Sequence, residues 1–268
     1  MWLYPLLTMG FFGLAFGAGL AYASKKFAVE IDPRVTAVLG ALPGANCGGC
    51  GYPGCAGYAE AVVMGTAVPN LCNPGGSDSA RKIGEALGIT VETMERTVAL
   101  IRCQGAATAV KEAVYAGVQT CALATLVGEG PLACKYACLM LGDCKDACQF
   151  NAITWEPGTI PVINETACTA CRKCVAACPK GLINMRPAAK SVHVLCHSQD
   201  KGAVARKKCT MACIACTKCV NTCPEKAITM EGNLATINPQ KCTLCGHCIE
   251  ACPTKAIRNQ HVSAQQSV

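Results

Sequence analysis

The chain has 268 residues, a formal net charge of +7, 24 cysteines and only 5% aromatic residues. So few aromatics argue against a large aromatic core. Most of the cysteines have two or three residues between them, which is poor disulfide geometry and ordinary metal-ligand spacing. The expected setting is therefore a reducing compartment with thiolates held by metal.

Residues 1–24 are expected to be a transmembrane anchor. Trp2 to Ala23 is uncharged and mostly apolar over 22 residues, long enough for one spanning helix. Trp2, Tyr4 and Tyr22 stand as interfacial aromatics. Lys25, Lys26 and Arg34 follow, so the remainder of the chain is expected on the cytoplasmic side. The alternative is a cleaved leader ending at Ala21-Tyr22-Ala23. No basic residue precedes the apolar run, and the run exceeds an ordinary leader core. Gly13 and Gly17 form a GxxxG spacing suited to helix packing in lipid.

Residues 30–90 are expected to be a small α-rich module. After an amphiphilic stretch at 31–42 comes GANCGGCGYPGC, residues 44–55, followed by Cys72. Cys47, Cys50, Cys55 and Cys72 form four soft ligands, suited to zinc or to a [4Fe–4S] cluster. Gly48, Gly49, Gly51 and Gly54 favour the cluster. A cubane is bulkier than one ion, and its sulfides accept bonds from closely approaching backbone amides. A short helix over Tyr58–Met64 returns the chain to Cys72.

Residues 79–118 are expected to be helical, first over 79–87 and then over 91–101, where Val91, Met94, Val98 and Ile101 share one helical face. Residues 91–130 are thus a helical linker. Cys103 and Cys121 stand alone within it and are left unassigned, since a lone cysteine in an apolar stretch is commonly a small buried hydrophobe.

The carboxyl-terminal half repeats itself. Cys168, Cys171, Cys174 and Cys178 with Pro179 form C-x2-C-x2-C-x3-C-P; Cys213, Cys216, Cys219 and Cys223 with Pro224 repeat it, as do Cys242, Cys245, Cys248 and Cys252 with Pro253. This is the run of ferredoxin-type [4Fe–4S] sites. A distorted copy precedes them at Cys134, Cys138, Cys144 and Cys148, with Gln149 in place of proline. Similar tripeptides from Ala152, Gly181, Ala227 and Ala256 follow the four runs three or four residues behind the last cysteine, so four half-modules of one repeat are present. Turn signals at Glu156-Pro157-Gly158 and Glu231-Gly232-Asn233 predict a hairpin in each pair of halves.

Two halves make a two-cluster unit in which the fourth cysteine of each run ligates the other cluster. The expected units are 131–186 and 209–258, joined by a linker at 187–208 and followed by a flexible tail at 259–268. The first unit is expected to hold one cluster on Cys134, Cys138, Cys144 and Cys178, and another on Cys148, Cys168, Cys171 and Cys174. The second is expected to use Cys213, Cys216, Cys219 and Cys252, then Cys223, Cys242, Cys245 and Cys248. Five [4Fe–4S] clusters then occupy twenty cysteines. Cys103, Cys121, Cys196 and Cys209 are left over; Cys209, four residues before Cys213, could replace a ligand. Each oxidised cluster with four thiolates carries about −2, so the basic count partly balances buried anions.

No dinucleotide fingerprint or Walker A motif occurs, and His193, His197, His247 and His261 form no metal or triad pattern. With no nucleophile or acid–base pair, the chain is expected to move electrons and to do no bond chemistry alone.

In order, the apolar helix, the Cys47–Cys72 module and the tandem ferredoxin motifs resemble the B subunit of the Rnf complex over nearly the whole chain. GANCGGCGYPGC and the segment Gly130-Pro131-Leu132-Ala133-Cys134 to Cys148 are the most specific parts. The resemblance implies an α+β electron-transport subunit of an ion-translocating ferredoxin:NAD oxidoreductase at the cell inner membrane. It implies electrons from reduced soluble ferredoxin, other membrane and peripheral subunits as partners, and NAD and ion sites elsewhere. No nucleic-acid partner is expected. Arg172, Lys173, Lys218 and Lys255 are candidate docking residues for an acidic ferredoxin. Two alternatives stand: an electron-transfer subunit of a hydrogenase or carbon monoxide dehydrogenase system, and a zinc-binding structural scaffold.

Overall fold

The computed structural model describes residues 3–27, 32–92 and 94–260. Trp2, most of the tail expected at 259–268, His261 and the start of the 31–42 stretch lie outside the described residues.

Helix α1 (Leu3–Lys26) is continuous over 24 residues and ends on Lys25 and Lys26. Its large side chains, including Phe11, Phe12, Phe16 and Leu20, are exposed. Among the described residues, however, no helix is long and apolar enough to cross a membrane.

Three helices build the opening module: α2 (Pro33–Ala41), α3 (Gly54–Val63) and α4 (Gly76–Leu87). Asp32 caps α2 by accepting the Arg34 amide at 2.8 Å, with Pro33 in the first turn, where its missing N–H has no consequence. Gly88, at φ 67°, closes α4 in the left-handed conformation. Val38, Tyr58, Val62 and Ile83 fill the core between the helices. The Tyr58 hydroxyl donates to the Val68 carbonyl (2.9 Å) and accepts from the Leu71 amide (3.0 Å), pinning the loop that carries Cys72.

Beyond residue 90 the expected helix is absent. Thr97–Ile101 is strand β1, and it pairs antiparallel with β4 (Ile183–Pro187) from Thr97↔Pro187 to Ile101↔Ile183. So short a run fits either period, and burial against a partner strand decides it. The rest of the expected helical linker is irregular apart from a 3₁₀ turn at Ala106–Thr108 and helix α5 (Cys121–Leu126).

The first unit continues through α6 (Asp143–Asp146), β2 (Ile153–Thr154), β3 (Val162–Ile163) and α7 (Lys173–Ala177) before β4. The second unit begins earlier than residue 209. Strand β5 (Val192–Val194) and helix α8 (Gly202–Lys208) lie in the expected linker, followed by α9 (Lys218–Thr222), β6 (Ile228–Glu231), β7 (Leu234–Ile237), α10 (His247–Ala251) and β8 (Ile257–Asn259). β2 pairs with β3, β6 with β7, and β5 with β8. Each unit is thus a hairpin plus a pair closed by a strand from upstream, β1 in the first and β5 in the second.

Candidate iron–sulfur sites

The cysteine loops share one backbone. Ala170 and Arg172, Ala215 and Thr217, Leu244 and Gly246, and Met140 and Gly142 all adopt left-handed φ between 52° and 86°. In each loop these residues flank one central position: Cys171, Cys216 and Cys245 in three of them, and Leu141 in the fourth. Alternating left-handed residues curl the chain so that successive thiols and amides face one concavity. A non-glycine residue there costs about 1–2 kcal/mol, which a metal-free loop would not recover. Sulfurs of the fourth cysteines accept amide bonds from four residues on: Ala152 to Cys148 (3.3 Å), Leu182 to Cys178 (3.4 Å) and Ala256 to Cys252 (3.2 Å).

Four small cavities each carry four cysteines. Cys148, Cys168, Cys171 and Cys174 line one, Cys213, Cys216, Cys219 and Cys252 a second, and Cys223, Cys242, Cys245 and Cys248 a third. In all three the fourth cysteine comes from the partner half. Burial, and then the charge of their cage neighbours, pushes Cys174, Cys219 and Cys248 up to about 11.

The fourth cavity departs from the expected set. It is lined by Cys121, Cys138, Cys144 and Cys178, and Cys134 is not among them. Burial pushes Cys138 and Cys144 up to about 12, and both feel the charge of Cys121. The reason lies in the repeat. Aligned on its left-handed residues, the first run is Cys138-x2-Leu141-x2-Cys144-x3-Cys148, with leucine where the second cysteine stands elsewhere. Cys121, carried in on α5, takes that place. Asp143, inside the loop, receives the amides of Cys121 (2.8 Å) and Ala122 (3.1 Å) and so fixes α5 against the cage. The Leu141 substitution was the signal in the sequence for Cys121.

In the opening module Cys72 faces Cys55, Cys50 and Cys47, and burial raises its thiol. Gly48, Gly51 and Gly54 have positive φ of 71–89°, and the Asn46 carboxamide oxygen accepts the Cys55 amide at 2.8 Å. Gly49 serves differently. A Cβ there would lie 2.8 Å from the Cys171 carbonyl oxygen, so glycine lets this module sit directly on the first ferredoxin unit. Cys171 accordingly feels the charge of Cys47 as well as of its own cage.

Cys216 and Cys245 are exposed. Arg172, Lys218 and Lys255 are exposed and Lys173 half-buried, all close to cysteine loops. Such buried thiols stay protonated without a metal; bound iron supplies the positive charge that makes them thiolates. Among the described residues no three Cys, His, Asp or Glu side chains gather tightly enough to hold a single metal ion. Four soft sulfur donors round each cavity suit [4Fe–4S] clusters.

Comparison with known proteins agrees with this geometry. Residues 42–74 match a family described as a putative Fe-S cluster, residues 160–183 a 4Fe-4S binding domain, and residues 212–256 a 4Fe-4S dicluster domain. The chain is 46% identical over 240 residues to the B subunit of the Na(+)-translocating ferredoxin:NAD(+) oxidoreductase complex of Acetobacterium woodii, covering 89% of this chain and 72% of that one. It is 42% identical to the B subunit of the proton-translocating ferredoxin:NAD(+) oxidoreductase complex of Clostridium ljungdahlii, covering 87% and 83% of the two chains. It is 43% identical to the B subunit of the ion-translocating oxidoreductase complex of Methanosarcina acetivorans, covering 85% and 87%.

Proposed function

This chain belongs to the B-subunit family of ion-translocating ferredoxin:NAD(+) oxidoreductase (Rnf-type) complexes, and we propose that it is the wire by which such a complex draws electrons from reduced soluble ferredoxin. A bound [4Fe–4S] cluster takes up and returns one electron at a time. The residues of the chain space the cages, exclude water from them and set the path.

The cages are Cys47, Cys50, Cys55 and Cys72; Cys121, Cys138, Cys144 and Cys178; Cys148, Cys168, Cys171 and Cys174; Cys213, Cys216, Cys219 and Cys252; and Cys223, Cys242, Cys245 and Cys248. The observation that carries the reading is the seating of the opening module on Cys171 through Gly49. It supports a path with its entrance at the exposed Cys216 and Cys245 and its exit at the opening module, which follows α1 in the chain. Residues 134–268 hold 16 of the 24 Lys and Arg residues, and Arg172, Lys173, Lys218 and Lys255 stand at the loops to steer an acidic ferredoxin. α1, with Lys25 and Lys26 at its end, anchors the chain once at the cell inner membrane with the cluster-bearing domains on the cytoplasmic side. There it meets the membrane partners that take the electrons onward.

Stopped-flow reduction of the purified, iron-loaded chain by reduced ferredoxin tests the reading. The expected rate falls steeply with ionic strength; a rate indifferent to salt removes the docking role of the basic loops. Anaerobic iron and zinc analysis separates it from a zinc scaffold. Recovery of the full chain from carbonate-washed membranes, and loss of that recovery on deleting residues 1–26, tests the anchor.

A further inference from the structure

Four cysteines lie outside the five cages: Cys103, Cys134, Cys196 and Cys209. We propose that they form a sixth four-cysteine cage, holding a further [4Fe–4S] cluster in the seam between the two ferredoxin units. This rests on the reading of the other cages as cluster sites.

The topology places two of the four at equivalent points. Ile101 of β1 pairs with Ile183, and Val194 of β5 pairs with Ile257. Ile183 and Ile257 stand at the same offset behind the fourth cysteines, Cys178 and Cys252. Cys103 and Cys196 lie two residues beyond Ile101 and Val194, so each unit contributes the same residue to the seam.

The other two are drawn in by one extended thread. Ala109 bridges to Cys209 on one side, and Lys111 to Leu132 on the other. The Val110 amide donates to the Lys208 carbonyl (2.9 Å), and the Ala133 amide to the Val110 carbonyl (2.8 Å). Cys209 and Cys134 thus flank the thread and meet the pair from the strands. Cys196 and Cys209 are both 8% exposed in one core, with Cys103 and Cys134 packed against it. Gly105 makes room: a Cβ there would fall 2.3 Å from the Cys209 sulfur.

The surroundings are those of a cluster ligand set. The amide two residues on bonds Cys103 (from Gly105), Cys134 (from Tyr136) and Cys196 (from Ser198). Cys138 and Cys171 in the cages already described have the same bond, from Met140 and Lys173. Cys196, Cys103 and Cys209 all stand within electrostatic reach of Cys134. Lys180 and Lys208 are within electrostatic reach of Cys134, offsetting anionic charge. Two further amide bonds join the seam to cages on either side: Cys138 to the Cys103 sulfur (3.5 Å) and Cys213 to the Cys196 sulfur. On loading, four Fe–Sγ bonds form and four thiol protons leave, including the one that Cys209 donates to the Gly105 carbonyl. Every one of the 24 cysteines then has a place, and the two ferredoxin units become one continuous path.

The test is iron, sulfide and zinc analysis of the anaerobically purified full chain, with EPR of the reduced state. The expected content is ~24 Fe and ~24 sulfide per chain, falling to ~20 of each in Cys196→Ser and in Cys209→Ser with the other EPR signals retained. Wild-type protein at ~20 Fe, with or without one zinc, overturns the sixth cage and leaves the other five standing. An iron-free chain overturns the reading on which it rests. If Cys196→Ser does not fold, the wild-type content and Cys209→Ser still decide. A Cys209→Ser chain retaining ~24 Fe overturns the ligand set.

Discussion

The two ferredoxin units are built on one plan and differ in how much of each is self-contained. The second takes all eight cage cysteines from its own two runs, and its middle cysteines, Cys216 and Cys245, reach the surface. The first has leucine at one middle position, Leu141, and recruits Cys121 from α5. Its other middle cysteine, Cys171, lies beneath the opening module at Gly49. The middle position of the loop is thus where a unit meets what lies outside it. In the second unit it is left bare at Cys216 and Cys245, and in the first it is covered at Cys171. Embedding the first unit relieves its loops of carrying the whole ligand set, because neighbouring segments can supply what its own run lacks.

The largest effect that sets the units apart is expected on stripping iron. Folding of such small units draws on metal binding, and the exposed middle cysteines leave the second unit open to chelator and oxidant. Limited proteolysis during iron loss is expected to cut within 209–258 before 131–186. The reverse order breaks the comparison.

Next is Cys121→Ser, expected to remove one cluster from the first unit, a loss of ~4 Fe per chain. Adding Leu141→Cys to that variant restores the ordinary spacing and is expected to recover the iron. Iron that stays unchanged in Cys121→Ser returns the cage to Cys134.

Gly49→Val drives a side chain into the Cys171 carbonyl and is expected to weaken the seating of the opening module by about 1–3 kcal/mol, read as a lower urea midpoint for that module. The second unit has no such contact and is expected to unfold unchanged. Asp143→Ala leaves the amides of Cys121 and Ala122 without their acceptor, a loss of about 0.5–2 kcal/mol, seen as faster iron release from the first unit alone.

The smallest effect is expected from Lys218→Gln. This exposed charge on the second unit is expected to lower the association rate with ferredoxin a few-fold at low salt and to leave the dissociation rate unaltered. The same change at the half-buried Lys173 is expected to do less.

Cysteine spacing alone determined the chemistry of this chain. The first three thiols of a C-x2-C-x2-C-x3-C run line one concavity wherever it folds, because its loop geometry is local. The same locality made the four-fold repeat, the β2–β3 and β6–β7 hairpins and the helices around Tyr58 and Ile83 legible from residues close together in the chain. Tertiary structure decided whatever depended on distant partners. Thr97–Ile101 has a pattern that suits helix or strand, and pairing with Ile183–Pro187 makes it a strand. Cys134 belongs to the run in sequence and Cys121 stands alone, yet the packing of α5 against Asp143 brings Cys121 into the cavity and leaves Cys134 outside it. Gly49 reads as one loop glycine among several until Cys171 closes on it. Short-range geometry is written residue by residue, whereas the choice among equally spaced thiols is made by the strands and helices that carry them together.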